Sequence, residues 1–167
     1  MIDDFKAIEE KARKELYGEH AIRTRPHSEI KMRASGDPDM KDVRILTGYP
    51  SVFNHATVLY EDDSCIVRET IAPGFFDDVL ENDCHLNYVH ESGSAMCRNN
   101  PCMPDDRKGG PGSMELSCDT HGLRIFARVP MNDPDAQRMA VKMDNGVVDE
   151  MSFAFDIAPD GCDSATP

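Results

Sequence analysis

The sequence predicts a mainly β fold with peripheral helices (α+β), built on an antiparallel sheet or barrel. Three observations carry that class. Strand-like runs outnumber helical ones and mostly adjoin along the chain. MELSC (114–118) and LRIFARV (123–129) flank a DTHG turn as the arms of a β-hairpin do. The two long stretches with helical period, 3–18 and 134–144, lie toward the ends of the chain. With 167 residues, 40% of them hydrophobic, the chain is long enough to bury a core.

Taken in order, Phe5, Ile8, Ala12 and Leu16 sit at helical spacing, with Asp3 as N-cap and Gly18 as stop. Residues 21–26 are basic and read as a loop. Glu29 to Ala34 alternates as a strand, and Asp37-Pro38-Asp39 makes a turn. VRILTGYPSVF (43–53) is a strand bent at Gly48 and Pro50, since neither suits a straight central strand. Residues 65–71 form a further strand. Pro73-Gly74 leads into FFDDVLEND, a short helix with Phe76 and Leu80 on one face, and a buried strand follows at 85–90. From Glu91 to Gly112 no period survives among Pro, Gly, Asn and Asp, which predicts an irregular insertion longer than an ordinary connection. Asn132-Asp133-Pro134 opens a helix with a side-chain cap and Pro at the first helical position; it runs to about Asp144 and stops near Gly146. VVDEMSFAFDI (147–157) is the last strand. The organisation is an N-terminal helix (1–20), a β domain (21–157) with the cysteine-containing insertion 91–112, and a C-terminal tail (158–167).

Eighteen Lys and Arg against 31 Asp and Glu give a net charge of −13, opposite to what a phosphate-binding surface needs, so no nucleic-acid partner is expected. No apolar run reaches the roughly 18 residues of a membrane span, and MIDDFKAIEE lacks the basic-then-apolar pattern of a secretory signal. A cytosolic chain is expected. Its six cysteines would then stay thiols. Cys97 and Cys102, completed by Cys84, His85 or Cys118, make a candidate zinc set, but without a CxxC pair free thiols and no cofactor are the expectation.

Along 147–157 the alternation sets Met151, Phe153 and Phe155 on the core face and Ser152 on the outer face, among small or polar neighbours. A strand anchored on both sides would hold a nucleophile still and accessible. An ordinary surface serine looks the same. Serine needs a base, and ten serines with six histidines allow sixty pairings, so composition does not choose. His90 ends the run LNYVH beside an irregular loop, where a histidine is more often a hydrogen-bonded strand-end residue, though a partly exposed imidazole there could also serve as a base.

GYPSVFN (48–54), RETIAPGFFDDVL (68–80), NYVHES (87–92), DTHGLRIFARVP (119–130) and VDEMSFAF (148–155) together resemble the HK97-type caudovirus prohead serine protease family, in that family's order. The resemblance implies a small antiparallel β-barrel like the herpesvirus assembly proteases. It also implies a Ser/His endopeptidase of capsid maturation, acting in the host bacterial cytoplasm inside the assembling procapsid on scaffold and major capsid protein. Position by position, the family's nucleophile falls on Ser152 and its histidine on His90. The sequence departs from the family in having Asn87 rather than an asparagine directly before the histidine, Glu91 rather than Asp after it, Ala154 for the glycine of M-S-F-G-F, and an end at PDGCDSATP where another strand segment usually follows. Glu115 is nominated to orient His90, with Asp119, His121 and Glu91 as alternatives. Gly109, Gly110 and Gly112 are nominated to let a backbone approach the substrate.

Other roles stay open at this point. Pro104 to Gly112 reads as a lid or a plain surface loop, and the N-terminal helix as packed or as a docking element through Phe5, Ile8 and Leu16. The chain is a monomer or a homo-oligomer. The rival functions are a non-catalytic scaffold-binding module of the same fold and a small zinc-binding interaction domain.

Overall fold

The computed structural model describes residues 21–25, 29–61, 63, 65–89 and 92–155, so the expected helix at 3–18 and the tail 158–167 lie outside it. The strands are β1 (Ala21–Arg25), β2 (Lys31–Ala34), β3 (Val43–Val52), β4 (Thr57–Glu61), β5 (Ile66–Glu69), β6 (His85–Asn87), β7 (Ala95–Asn99), β8 (Ser113–Cys118), β9 (Gly122–Pro130) and β10 (Met151–Phe155). The α-helix of the described residues, α1 (Pro134–Asp144), joins β9 to β10. A six-stranded sheet in the order β2-β3-β9-β8-β7-β6 curls into a half-barrel, and two ribbons, β1-β10 and β4-β5, stand beside it. The mainly β class with a peripheral helix is as the sequence predicts.

Why the sheet closes on one core follows from the pairings. Leu46 faces Ala127 across β3 and β9, and Met114 faces Ala127 across β8 and β9, so alternate residues of three strands share one face. Leu46, Ala127 and Val129 on that face are wholly buried. Helix α1 lays Ala136 and Met139 on the same cluster, which also takes in Tyr88 and Met151. Leu46 and Val129 each contribute about 1.5–3 kcal/mol by this burial. A second, smaller cluster gathers Phe53, Ile71, Phe76 and Leu123.

The bend expected in β3 is a register shift between Gly48 and Ser51, where Pro50 has no N–H to give the ladder. The backbone of β3 there presses on the start of β9. A Cβ on Gly122 would meet the Ser51 carbonyl oxygen at 2.0 Å, so that position requires glycine. The hairpin β8–β9 and helix α1 also form where expected. Asp133 caps α1, its Oδ1 accepting from the N–H of Asp135 at 2.7 Å and of Ala136 at 3.1 Å.

Four expectations are corrected. Residues 21–25, read as a loop, form β1, because β10 supplies an antiparallel partner from Ala21↔Phe155 to Arg25↔Met151 that local composition cannot reveal. FFDDVLEND is not a helix but a chain of turns, with N–H to carbonyl bonds of Phe75 to Ala72 at 3.2 Å, Asp77 to Gly74 at 3.1 Å and Val79 to Phe76 at 3.0 Å. So short a segment cannot repay helix nucleation, yet Phe76 is buried as the helical reading placed it. Residues 95–99 of the irregular stretch form β7, antiparallel to β6 and parallel to β8, so the sheet is not wholly antiparallel. Finally, β4 was not foreseen, and β6 and β10 are shorter than the runs 85–90 and 147–157.

Candidate active site

Ser152 lies in the middle of β10, paired with Thr24 of β1. Its two neighbours fix the strand from the core side. Met151 is buried in the main cluster, and Phe153 packs on the second, its ring edge-on to Phe76 at 5.5 Å. Ser152 itself is half-buried, as is Phe153.

His90 and Glu91 lie outside the described residues, but the chain on either side of them does not. On one side Tyr88 is buried in the main cluster with Met151. On the other Ser94, also buried, clamps Tyr88 in both directions. The Tyr88 N–H donates to Ser94 Oγ at 3.0 Å, and the Ser94 hydroxyl donates to the Tyr88 carbonyl at 2.7 Å. Val89, directly before His90, has φ +49° and is 60% exposed. A β-branched residue in the left-handed region costs about 1–3 kcal/mol, and such strain gathers at functional sites. Asn87, just upstream, has a buried Oδ1 with no hydrogen-bond partner. Thus Tyr88 and Ser94 are bonded to each other across this stretch, Val89 beside them is strained, and Tyr88 shares its core with Met151, the neighbour of Ser152.

The remaining nominees are committed elsewhere. Glu115 is half exposed, and its Oε1 accepts from Arg128 Nη1 at 2.8 Å. Since Arg98 of β7 is level with Ser113 at the start of β8, the loop before β7 lies beyond that end of β8, whereas Glu115 lies inside the strand. Asp119 Oδ2 accepts from the Tyr49 hydroxyl at 2.7 Å, and its Oδ1 accepts from the His121 N–H at 2.7 Å. Those bonds, with the Gly122 N–H, hold its carboxyl below the usual carboxylate range and push the Tyr49 hydroxyl up. His121 packs edge-on against Tyr49 at 4.6 Å.

The three glycines nominated beside the substrate have no free N–H. Gly109 donates to Asn100 Oδ1 at 2.7 Å, Gly110 to the Arg107 carbonyl at 3.1 Å and Gly112 to the Arg128 carbonyl at 2.7 Å. These three amides are therefore already committed within the chain.

The candidate zinc set is not assembled either: among the described residues no three His, Cys, Asp or Glu side chains gather as metal ligands. Burial pushes the Cys97 thiol up to about 12 and that of Cys84 to about 11, which suits inert thiols rather than metal-binding thiolates. No helix of the described residues is long and apolar enough to cross a membrane.

Sequence reasoning missed Tyr88, Ser94 and Lys142. Tyr88 was legible only as part of an apolar run, and nothing local marks Lys142, whose Nζ donates to the Tyr88 hydroxyl. Compared with known proteins, the chain matches the family model described as caudovirus prohead serine protease over residues 28–167. No curated protein and no solved structure matches it.

Proposed function

The chain belongs to the caudovirus prohead serine protease family, and from that membership we propose that it is an endopeptidase whose Ser152 and His90 cleave scaffold and major capsid protein inside the assembling procapsid. The observation that supports this reading most is the shared anchorage of two remote segments. Tyr88, two residues before His90, and Met151, one before Ser152, are members of one buried cluster.

In the proposed reaction the Ser152 hydroxyl attacks the scissile carbonyl while His90 accepts its proton. His90 then returns that proton to the leaving amine, and water hydrolyses the acyl-enzyme by the same steps in reverse roles. Backbone N–H groups would stabilise the oxyanion. Glu115 is not required by this proposal, because Arg128 already takes up its carboxylate.

Ser152→Ala tests it. Co-expressed with the capsid and scaffold proteins of its phage, the variant is expected to process them at least about a thousandfold more slowly than the native chain. Equal processing on a gel would overturn the assignment and favour a non-catalytic scaffold-binding module.

A further inference from the structure

Lys142, on the last turn of α1, holds both segments of the proposed pair at once. Its side chain reaches the His90 loop: Nζ donates to the buried Tyr88 hydroxyl and sits 5.2 Å from the centre of the Tyr88 ring. Its backbone reaches the approach to Ser152: the Lys142 carbonyl accepts from the N–H of Val147 at 2.8 Å and of Val148 at 3.3 Å, at the head of the segment that becomes β10. Tyr88 passes the restraint on, because Ser94 locks its N–H and carbonyl and so closes the base of the loop. A single residue thus spans the gap between two stretches that approach each other only through tertiary structure.

A lysine in the last turn of α1 complements the helix dipole, but that alone would be satisfied by an ammonium left in water and does not require the reach to Tyr88. No carboxylate pairs with Lys142 among the described residues. Lys142 is half-buried, and its ammonium spends one donor on a hydroxyl and lies near a ring face. A methionine of similar length would cover the same apolar surface without a charge. The ammonium adds direction: the hydrogen bond fixes where Tyr88 stands relative to the helix end. Misplacing a catalytic group by as little as about 1 Å can cost on the order of a hundredfold in rate.

We propose that Lys142, acting through Tyr88, is a positioning residue for the Ser152/His90 reaction, tying Tyr88, two residues before His90 in sequence, to the head of the segment that leads into β10. The inference rests on the Ser152/His90 reading given above.

The test compares the native chain with Lys142→Met, Lys142→Arg, Tyr88→Phe and the double variant Lys142→Met/Tyr88→Phe, each by its rate of Ser152 labelling with a peptidyl phosphonate and by kcat and KM on a capsid-derived peptide. Lys142→Met is expected to lower the labelling rate and kcat by roughly 10- to 100-fold with KM unchanged. Lys142→Arg should recover most of the loss, since it restores the donor. Tyr88→Phe should match Lys142→Met, and the double variant should be no worse than either, as members of one contact are not additive. Labelling at the native rate in Lys142→Met would overturn the proposal. So would a loss that Arg does not rescue and that equals the loss in Asp133→Ala, a helix-cap variant destabilised away from the pair. If instead the native chain is labelled no faster than Ser152→Ala, the catalytic reading itself fails, and this inference with it.

Discussion

The two buried clusters are built differently. The main one is set by strand register and by a capped helix, with Leu46, Met114, Ala127 and Val129 on one face and Ala136 and Met139 laid on it from α1. The smaller one is aromatic and rests on turns: Phe76, from the turn-rich stretch 73–82, packs against Phe53 at 6.2 Å and Phe153 at 5.5 Å. Strand β10 straddles them, with Met151 in one and Phe153 in the other. The difference separates two kinds of support for β10: sheet register and a capped helix hold it at Met151, and turn-borne aromatic rings hold it at Phe153.

Cutting each cluster at its centre should break that symmetry most visibly. Leu46 is wholly buried between neighbouring strands that cannot close over a gap, so Leu46→Ala is expected to lose about 4 kcal/mol, within the range for buried Leu→Ala changes. Phe76→Ala should lose less, about 3 kcal/mol, because turns can settle into the space. Its phosphonate labelling, measured well below the unfolding temperature, should nonetheless fall further than that of Leu46→Ala. Urea unfolding and labelling rates on the same samples check both. If labelling follows stability alone across the two variants, the aromatic cluster has no separate role in presenting Ser152.

A smaller effect isolates the helix that covers the main cluster. Asp133→Ala removes the acceptor for two N–H groups at the start of α1 and is expected to cost about 1 kcal/mol, a fall in Tm of a few degrees. Phe76→Ala and Asp133→Ala should then be additive, since the residues share no partner. An interaction energy above about 0.5 kcal/mol would mean the clusters act as one.

The same division decides what was legible in the sequence. Hairpin β8–β9, the bend at Gly48 and Pro50 and the cap of α1 are written in adjacent residues, and all three are found in place. Strand β1 was hidden because its partner β10 is at the far end of the domain, and β7 because turn-forming residues surround a short strand paired in parallel. At the candidate site, the apolar positions 151 and 153 marked the anchors of β10, and the order of five motifs pointed to the family matched over residues 28–167. The clamp of Tyr88 by Ser94 and the reach of Lys142 left no local mark. They are contacts between elements, and a hydroxyl or ammonium carries no sign in sequence of which remote group it will meet.

The gentlest way to separate the clusters is acid. Asp119 ties the tip of β8–β9 to β3 beside the aromatic cluster through the Tyr49 hydroxyl, and closes the turn itself through the N–H groups of His121 and Gly122. The next contact along, the Phe53 N–H to the His121 carbonyl at 2.9 Å, holds a member of that cluster directly. Because these donors lower the Asp119 pKa in the folded chain, the unfolded chain takes up the proton first as pH falls. The stabilising contribution is therefore complete above the unfolded carboxyl value, near pH 4, and is lost as pH drops through the lower folded value. Hydrogen exchange at the Phe53 amide should speed up as pH falls below about 4, relative to amides of β9 facing β8, once the intrinsic rate is divided out. In Asp119→Asn, which keeps an acceptor oxygen but cannot titrate, that relative change should disappear. Were it to persist in the variant, the acid sensitivity of the aromatic cluster would arise from another carboxylate, and the turn at Asp119 would not be what joins it to the sheet.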